Sequence, residues 1–318
     1  MSHFNICSNI DNGVGLQKDA ELLRDLLVEW EHTAKLVHYK RQNHVEEAPH
    51  AAANIFLEVV NYDLLARNIA KENWFIPNPE WFAPWDHKNG LPDLQRILCK
   101  TQDAVRVMSK LTDVGKITFV GFESRDMYDP SVPRERRFLH VAGQSRYKNT
   151  MATTYAFARM MHDEDVKPQL TIVGAYPDEY AFGKDDKNIK TYERVSDDEM
   201  KQLLNSHLFH LMPAGYEGWG HALHEGLGVG NVVITTNHPP MNEFRGVAQD
   251  LLVPYQDTIP ELAATRARVV AAPVRDIVKK ALKLKEDRIA IIQQEARAAF
   301  LKEREEFRAN FKKVVDQI

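Results

Sequence analysis

Cysteine is nearly absent from this chain: Cys7 and Cys99 are the only two in 318 residues. They lie far apart and show no paired ligand spacing, which excludes a disulfide framework and a cysteine zinc site. Both read as buried strand residues of a protein in a reducing compartment. Long apolar runs are missing too, so no segment is expected to span a bilayer. The first seven residues, Met-Ser-His-Phe-Asn-Ile-Cys, lack the basic start and apolar stretch of a secretory signal. The expected location is therefore cytoplasmic, or the host cytoplasm for a viral chain. Nor is there an excess of positive charge. Lys and Arg number 41 against 45 Asp and Glu, a formal net charge of −4, which argues against coating nucleic acid through a uniformly basic surface. Basic character is confined to short runs such as Arg134, Arg136 and Arg137, or Lys279, Lys280, Lys283 and Lys285.

Several chemistries lack their signatures. There is no Gly-x-Ser-x-Gly elbow and no Walker-type glycine-lysine loop, which leaves serine hydrolase and nucleoside triphosphatase readings without support. His207 and His210 alternate with apolar residues, and His221 and His224 have no companion metalloprotease carboxylate. No metal site is expected from them.

What is present is a soluble composition, 44% hydrophobic and 27% charged, and a recurrent pattern of short apolar runs alternating with helical periodicity. Phe4–Cys7, Lys35–Tyr39, Ala53–Val60, Asn73–Pro77, Arg96–Thr101 and Lys116–Val120 read as strands, with a helix after the first marked by Leu16, Ala20, Leu23 and Leu27. Such alternation predicts a doubly wound, mostly parallel sheet. A polar segment with two prolines, 126–137, reads as a linker, and the pattern then restarts: Phe138–Ala142, Gln169–Gly174, Ile189–Tyr192, His207–Pro213 and Val229–Ile234. Leu251–Pro254 and Arg268–Ala271 read as short strands or edges. The expected organisation is an N-terminal Rossmann-like domain over 1–129, a second over 130–288, and a long amphipathic helix over 289–318 packing back toward the first. The two α/β domains are expected to face a cleft, with that helix crossing between them.

Two stretches of the second domain carry chemistry. The loop Gly143-Gln144-Ser145-Arg146-Tyr147-Lys148 joins a strand to a helix and supplies two cations beside a helix N-terminus, a fit for a diphosphate. Further on, Glu217-Gly218-Trp219-Gly220-His221-Ala222-Leu223-His224-Glu225 sets two carboxylates eight positions apart across a glycine-flanked turn. A helix starting near Trp219 or Gly220 would offer its free amides to a ligand while the carboxylates hold hydroxyls. In the first domain, Gly13 and Gly15 lie in a strand-to-helix loop, and Glu58 interrupts a strand near its carboxyl end, where ligands gather in open sheets. Glu80 follows in an aromatic turn.

With these residues in view, the chain resembles the retaining nucleotide-sugar glycosyltransferases of the two-Rossmann (GT-B) architecture, family four in particular, most strongly over Phe138–Phe244. Glu217 and Glu225 match the E-x7-E motif of that family. The resemblance implies that Glu225 binds the nucleotide ribose and Glu217 faces the donor sugar. The amides around Gly218, Trp219, Gly220 and His221 would hold sugar hydroxyls or phosphate. Gly143 and Ser145 fall in the loop whose Arg146 and Lys148 would stabilise the departing diphosphate, while Gly13 and Gly15 would close on the donor phosphates. Glu58 and Glu80 are acceptor-side candidates. Asn149 stands where a glycine usually follows the lysine, and the first domain is short for the family.

The implied activity is metal-independent transfer of a hexosyl or pentosyl group, with retention, from a nucleotide-diphosphate sugar, UDP-linked by expectation. No cofactor is required beyond this co-substrate. The acceptor hydroxyl is left open between a glycan or small molecule and a hydroxymethylated base in DNA. A non-catalytic nucleotide-sugar-binding module and a nucleotide-sugar epimerase of the same architecture are the alternatives. Oligomeric state is not read from the sequence.

Overall fold

The structure, a computed structural model, describes residues 1–9, 15–39, 46–84, 91–163, 167–174, 178 and 187–318, with the backbone alone for 161–163. The chain divides into two compact units. One comprises Met1–Phe122, Pro260–Thr265 and Glu306–Ile318; the other comprises Glu123–Ile259 and Arg266–Glu305.

The first unit is built from β1 (His3–Ser8), α1 (Gly15–Glu29), β2 (Thr33–His38), β3 (Ala51–Glu58), α2 (Tyr62–Ala66), β4 (Ala70–Pro77), β5 (Arg96–Cys99), α3 (Gln102–Met108) and β6 (Ile117–Phe119). Its strands form one sheet in the order β2-β1-β3-β4-β5-β6, and every pairing is parallel. Strands covered on both faces must be apolar nearly throughout, and Asn-Ile-Phe-Leu within β3 obeys this apart from Asn54. That amide is buried and satisfied by neighbours, accepting from Asn5 Nδ2 at 2.9 Å and donating to Asn73 Oδ1 at 3.0 Å. Helices start where the sequence offers a cap: Asn61 accepts from the Leu64 N–H, and Thr101 from the Ala104 N–H. Cys7 and Cys99 are free and buried in β1 and β5, and burial pushes the Cys99 thiol up to about 12. Neither is a nucleophile in this setting.

The second unit repeats the plan with β7 (Glu135–Gly143), α4 (Thr150–Asp163), β8 (Leu170–Gly174), β9 (Ile189–Tyr192), α5 (Asp197–Ser206), β10 (His207–Met212), α6 (His221–Gly228) and β11 (Val232–Thr235). The order is β11-β10-β7-β8-β9, again parallel throughout. A complete capping box opens α5, with Ser196 and Glu199 exchanging hydrogen bonds. Phe138 and Phe209 stack at 4.6 Å in the core of this unit. Two parallel-sheet Rossmann-like domains are thus what the alternation of the sequence predicted.

Three local readings change. The polar 126–137 segment already contains the start of β7, because Glu135, Arg136 and Arg137 are exposed or half-exposed strand residues whose charge hid their extended conformation. Leu251–Pro254 is not a strand; Val253 makes a single bridge to Thr236. Arg268 closes a hairpin, β12 (Asp257–Glu261) with β13 (Ala264–Arg268), and Ala271 opens α7 (Ala271–Leu282). That hairpin turns at Leu262 with φ of 51°, and only the small Ala264 and Ala267 of it are buried, so no run of large apolar residues marked it.

The last helix, α8 (Glu286–Val315), carries the predicted apolar stripe. Ile289, Ile292, Ala296 and Phe300 are buried within the second unit, and Phe307, Phe311 and Val314 within the first. In the first unit Phe311 meets Trp30 at 5.9 Å and Trp74 edge-on at 6.5 Å.

Candidate functional site

Strand order locates the site before any side chain is considered. In the second sheet the chain runs outward from β7 through β8 to β9, then returns to place β10 on the other side of β7. Loops leaving β7 and β10 therefore diverge at their carboxyl ends, and such a switch point opens a crevice for a ligand. The two loops that emerge there are 143–149 and 213–220, the stretches singled out in the sequence.

The first loop begins with a backbone reversal that requires glycine. Gly143 has φ of +56°, and among the described residues no atom lies within 4 Å of where its Cβ would be. Gly174, at φ +77°, packs so closely that a Cβ would sit 2.6 Å from the Gly143 carbonyl oxygen. Ser145 then caps the short turn Arg146–Lys148, accepting from the Tyr147 N–H, and Asn149 adopts the left-handed conformation at φ 54°. Asparagine tolerates that region better than other residues with a side chain. This explains how Asn149 occupies a place where the family that the sequence resembles usually has glycine. Its Nδ2 also donates to Pro213 O at 2.8 Å, which ties the first loop to the second.

A second tie runs from the Gly215 N–H to Tyr147 O at 2.7 Å. Gly215 has no room for a side chain, since its Cβ would lie 2.7 Å from Ala267 O. The two loops so joined bring Lys148 Nζ onto Glu217 Oε1 in an ion pair with little solvent exposure. Arg146 is held differently: it is more than half exposed and pairs with Asp178 at 3.2 Å. The two cations of the loop thus have distinct carboxylate partners.

Beyond Glu217 the chain turns through Gly218-Trp219-Gly220 into α6, which starts at His221 as the glycine-flanked turn predicted. Gly220 is the N-cap at φ 80°, ψ 61°, and no side chain caps the helix. A Cβ on Gly220 would fall 3.3 Å from Glu217 Cγ, so the carboxylate lies directly against the helix N-terminus. Trp219 turns its ring into the protein. It stacks on His224 with centroids 3.7 Å apart and planes 10° from parallel, and Phe244 meets both edge-on. Burial lowers the His224 imidazole to about 3, and its Nε2 faces Glu303 Oε2 at 3.6 Å. Its Nδ1–H donates to Gly220 O at 3.2 Å, which fixes the cap residue. Glu225 is buried one turn into α6.

The other end of α6 is secured by cations that the sequence gave no reason to select. Arg134 donates to Gly230 O at 2.8 Å and Val229 O at 2.7 Å, and Arg297 to Gly228 O at 2.6 Å while pairing with Asp126. Positive charge at a helix C-terminus complements the dipole. Two further residues carry no site signal in the sequence, where His210 reads only as a histidine without metal-ligand spacing. Ser124 joins Trp219 and His221 in one hydrogen-bond chain, and His210 packs under α6 so tightly that a Cβ on Gly226 would lie 2.0 Å from its Nδ1.

In the first unit, Glu58 ends β3 with φ of 68° and accepts from Asn78 Nδ2 at 3.1 Å. Burial raises its carboxyl, against the pull of that hydrogen bond and of Lys100. Lys100 itself forms a buried ion pair with Asp19 at 2.9 Å. Glu80 is buried nearby in sequence, in the turn after β4. Gly15 opens α1, and among the described residues no atom lies within 4 Å of where its Cβ would be. Gly13 lies outside the described residues. Among the described residues no cluster of three or more His, Cys, Asp or Glu has the geometry to hold a metal ion, and no helix is long and apolar enough to cross a membrane.

Comparison with known proteins supports the fold. Solved structures similar to the chain include the pneumococcal O-GlcNAc transferase GtfA in complex with UDP and GlcNAc, with TM-score 0.63 and 12% identity over 83% of this chain and 56% of that one. A sucrose-phosphate synthase from Thermosynechococcus elongatus matches with TM-score 0.65 and 13% identity over 98% of this chain and 95% of its own. A trehalose-6-phosphate synthase studied for glycosyl transfer with retention gives TM-score 0.61 and 11% identity, over 84% of this chain and 74% of that one. The chain thus spans little more than half of the first of these and nearly all of the second. No curated protein matches it by sequence. Residues 135–272, which include both loops of the site, match the family model for glycosyl transferases group 1, and the two Rossmann-like domains have the GT-B fold.

Proposed function

We propose that the protein is a retaining glycosyltransferase that moves a sugar from a nucleotide-diphosphate donor, UDP-linked by expectation, to a hydroxyl acceptor without a metal. The observation that carries this reading is the Lys148–Glu217 pair lying against the uncapped N-terminus of α6. A cation, a carboxylate and a row of amides meet where two loops diverge from a parallel sheet. That combination suits a ligand with an anionic diphosphate and a polyhydroxyl sugar.

The division of labour follows from charge. Departure of the nucleoside diphosphate builds negative charge on its terminal oxygens, and groups already aimed there stabilise the transition state more than the ground state. Lys148 is preorganised by Glu217 for that task. Arg146, held by an exposed pair that costs little to break, swings between Asp178 and the phosphate. Glu217 orients the sugar hydroxyls, the amides around Gly218, Trp219, Gly220 and His221 bind sugar or β-phosphate oxygens, and Glu225 binds the ribose. Gly143 and Ser145 shape the loop that presents the cations, and Gly13 and Gly15 close on the donor phosphates. Retention is assigned by likeness to family four, with the acceptor attacking from the face the phosphate leaves and the phosphate oxygen taking its proton. Glu58 and Glu80 are proposed to address the acceptor, whose class is read from its hydroxyl chemistry alone.

The test is a thermal-shift panel of nucleotides and nucleotide sugars, followed by mass spectrometry of acceptor mixtures with any donor that stabilises the protein. Stabilisation by UDP and one UDP-sugar, with transfer to an acceptor, is expected. A panel in which no nucleotide sugar raises Tm would sink the reading.

A further inference from the structure

Three side chains at the entry to α6 form a continuous hydrogen-bond chain within the second unit. Trp219 Nε1–H donates to Ser124 Oγ at 3.0 Å, and Ser124 Oγ lies 2.8 Å from His221 Nδ1. Ser124 and Trp219 are buried, and His221, the first residue of the helix, is half-buried. An indole nitrogen can only donate, so it occupies one lone pair of the serine oxygen. The serine has a single proton, and among the described residues its other partner is His221 Nδ1. If Nδ1 carried a proton, two donors would point at Ser124 Oγ and the buried hydroxyl proton would go unsatisfied. Leaving a buried donor unmade costs roughly 1–3 kcal/mol. The chain therefore runs in one direction: indole to serine, serine to Nδ1. The ring proton of His221 is on Nε2.

His224, three positions on, has the opposite arrangement, because its Nδ1 faces the Gly220 carbonyl and must carry the proton. Two histidines on one short helix are thus held in opposite tautomers by their neighbours. Tautomer choice in a histidine is set by the bond its other nitrogen makes.

We infer that Ser124, oriented by Trp219, is a positioning residue that fixes His221 as the Nε2–H tautomer, so that the ring supplies a side-chain donor at the same end of α6 as the backbone amides. On the proposed function, to which this inference is tied, the group it addresses is an oxygen of the donor, a sugar hydroxyl or a phosphate. A serine in the segment just after β6, far from either site loop in sequence, then tunes donor recognition without touching the donor.

The tautomer is measurable on the free protein. In long-range proton–nitrogen correlation spectra of the full chain, recorded in mildly alkaline buffer with the His221 signals assigned by their loss in His221→Gln, wild type is expected to show a protonated Nε2 and an unprotonated Nδ1. Ser124→Ala is expected to lose that preference and to raise the donor KM about tenfold, the scale of one oriented hydrogen bond. Ser124→Thr, which keeps the hydroxyl, should restore both. Trp219→Phe, which keeps the ring and removes the N–H, should weaken the tautomer preference if Ser124→Ala does not fold. A protonated Nδ1 in wild type overturns the assignment, and an unchanged donor KM in a folded Ser124→Ala overturns the positioning role. Failure of wild type to bind any nucleotide sugar is a separate result, read without these variants, that overturns the glycosyltransferase reading while leaving the tautomer measurement standing.

Discussion

Lys148 and Glu217, 69 residues apart in sequence, form an ion pair at the carboxyl edge of the second sheet. Their side chains keep only 15% and 9% of their exposure, so the attraction is poorly screened. Removing one partner of such a pair leaves the other charge buried without compensation, and this costs up to about 3–5 kcal/mol in fully buried cases. Lys148→Ala is expected to lower stability and to reduce kcat about a hundredfold or more, the loss seen when one preorganised stabilising group is deleted. Glu217→Gln keeps the shape and can accept a hydrogen bond from Lys148 but removes the compensating charge, so it should lose less stability than Lys148→Ala while raising the donor KM. Urea unfolding with steady-state kinetics separates the two effects. Equal destabilisation and equal kinetics for the two variants would contradict the division of roles.

Arg146 provides the cleaner kinetic probe. It is 56% exposed and its pair with Asp178 is exposed as well, so the pair adds little to stability, about 0–1 kcal/mol. Arg146→Ala should leave Tm nearly unchanged and lower kcat more than it weakens UDP binding by calorimetry. A raised donor KM with unaltered kcat would show ground-state binding only.

Much of this arrangement is legible in the chain. The apolar run His207–Pro213, the two glycines around Trp219 and the period of α8 each follow from local rules, and the structure places β10, α6 and α8 on those residues. The cation loop is legible because glycine, serine and basic residues mark a strand-to-helix turn. What connects these pieces is not. The pairing of Lys148 with Glu217, of Arg134 and Arg297 with the α6 carbonyls, and of Ser124 with Trp219 and His221 all span 69 residues or more. Such contacts depend on strand order, which periodicity does not encode. The β12–β13 hairpin escaped for another reason: Ile259 is its only large apolar strand residue, and Pro260 sits inside a strand.

Gly226 is the point where α6 meets β10. A Cβ there would lie 2.0 Å from His210 Nδ1, and the imidazole is fully buried. Neither ring nitrogen of His210 has a hydrogen-bond partner among the described residues. Glycine in mid-helix is unfavourable by roughly 1 kcal/mol relative to alanine, yet Gly226→Ala is expected to destabilise by about 1–3 kcal/mol through overpacking. The double variant Gly226→Ala with His210→Ala should recover part of that loss, because the methyl then enters space the imidazole vacated. Urea midpoints for the four proteins form the cycle, and strict additivity would refute the steric account.

The buried histidines set the response to acid. Burial lowers His140 and His207 to about 4 and His210 to about 3, and the His224 ring behaves like His210. An unfolded histidine titrates near 6.5, so below that pH the unfolded chain binds protons the folded chain refuses. These groups contribute their full stability above about 6.5, and lose it as pH falls through the window down to about 4 for His140 and His207 and about 3 for His210 and His224. Each should cost roughly 2 kcal/mol between pH 7 and pH 5. Glu58 acts in the opposite sense, since its raised carboxyl favours the folded state at the acid end and loses that contribution as pH rises, but one carboxyl does not offset four imidazoles. His140 is the best residue to remove, because its Nδ1–H donates to Leu211 O at 2.8 Å and its Nε2 faces Thr150 Oγ1 at 2.9 Å, and glutamine can reproduce both bonds without titrating. Wild type should therefore show a markedly lower urea midpoint at pH 5 than at pH 7, and His140→Gln a smaller difference. Identical pH dependence in the two proteins would mean that His140 accepts its proton inside the fold.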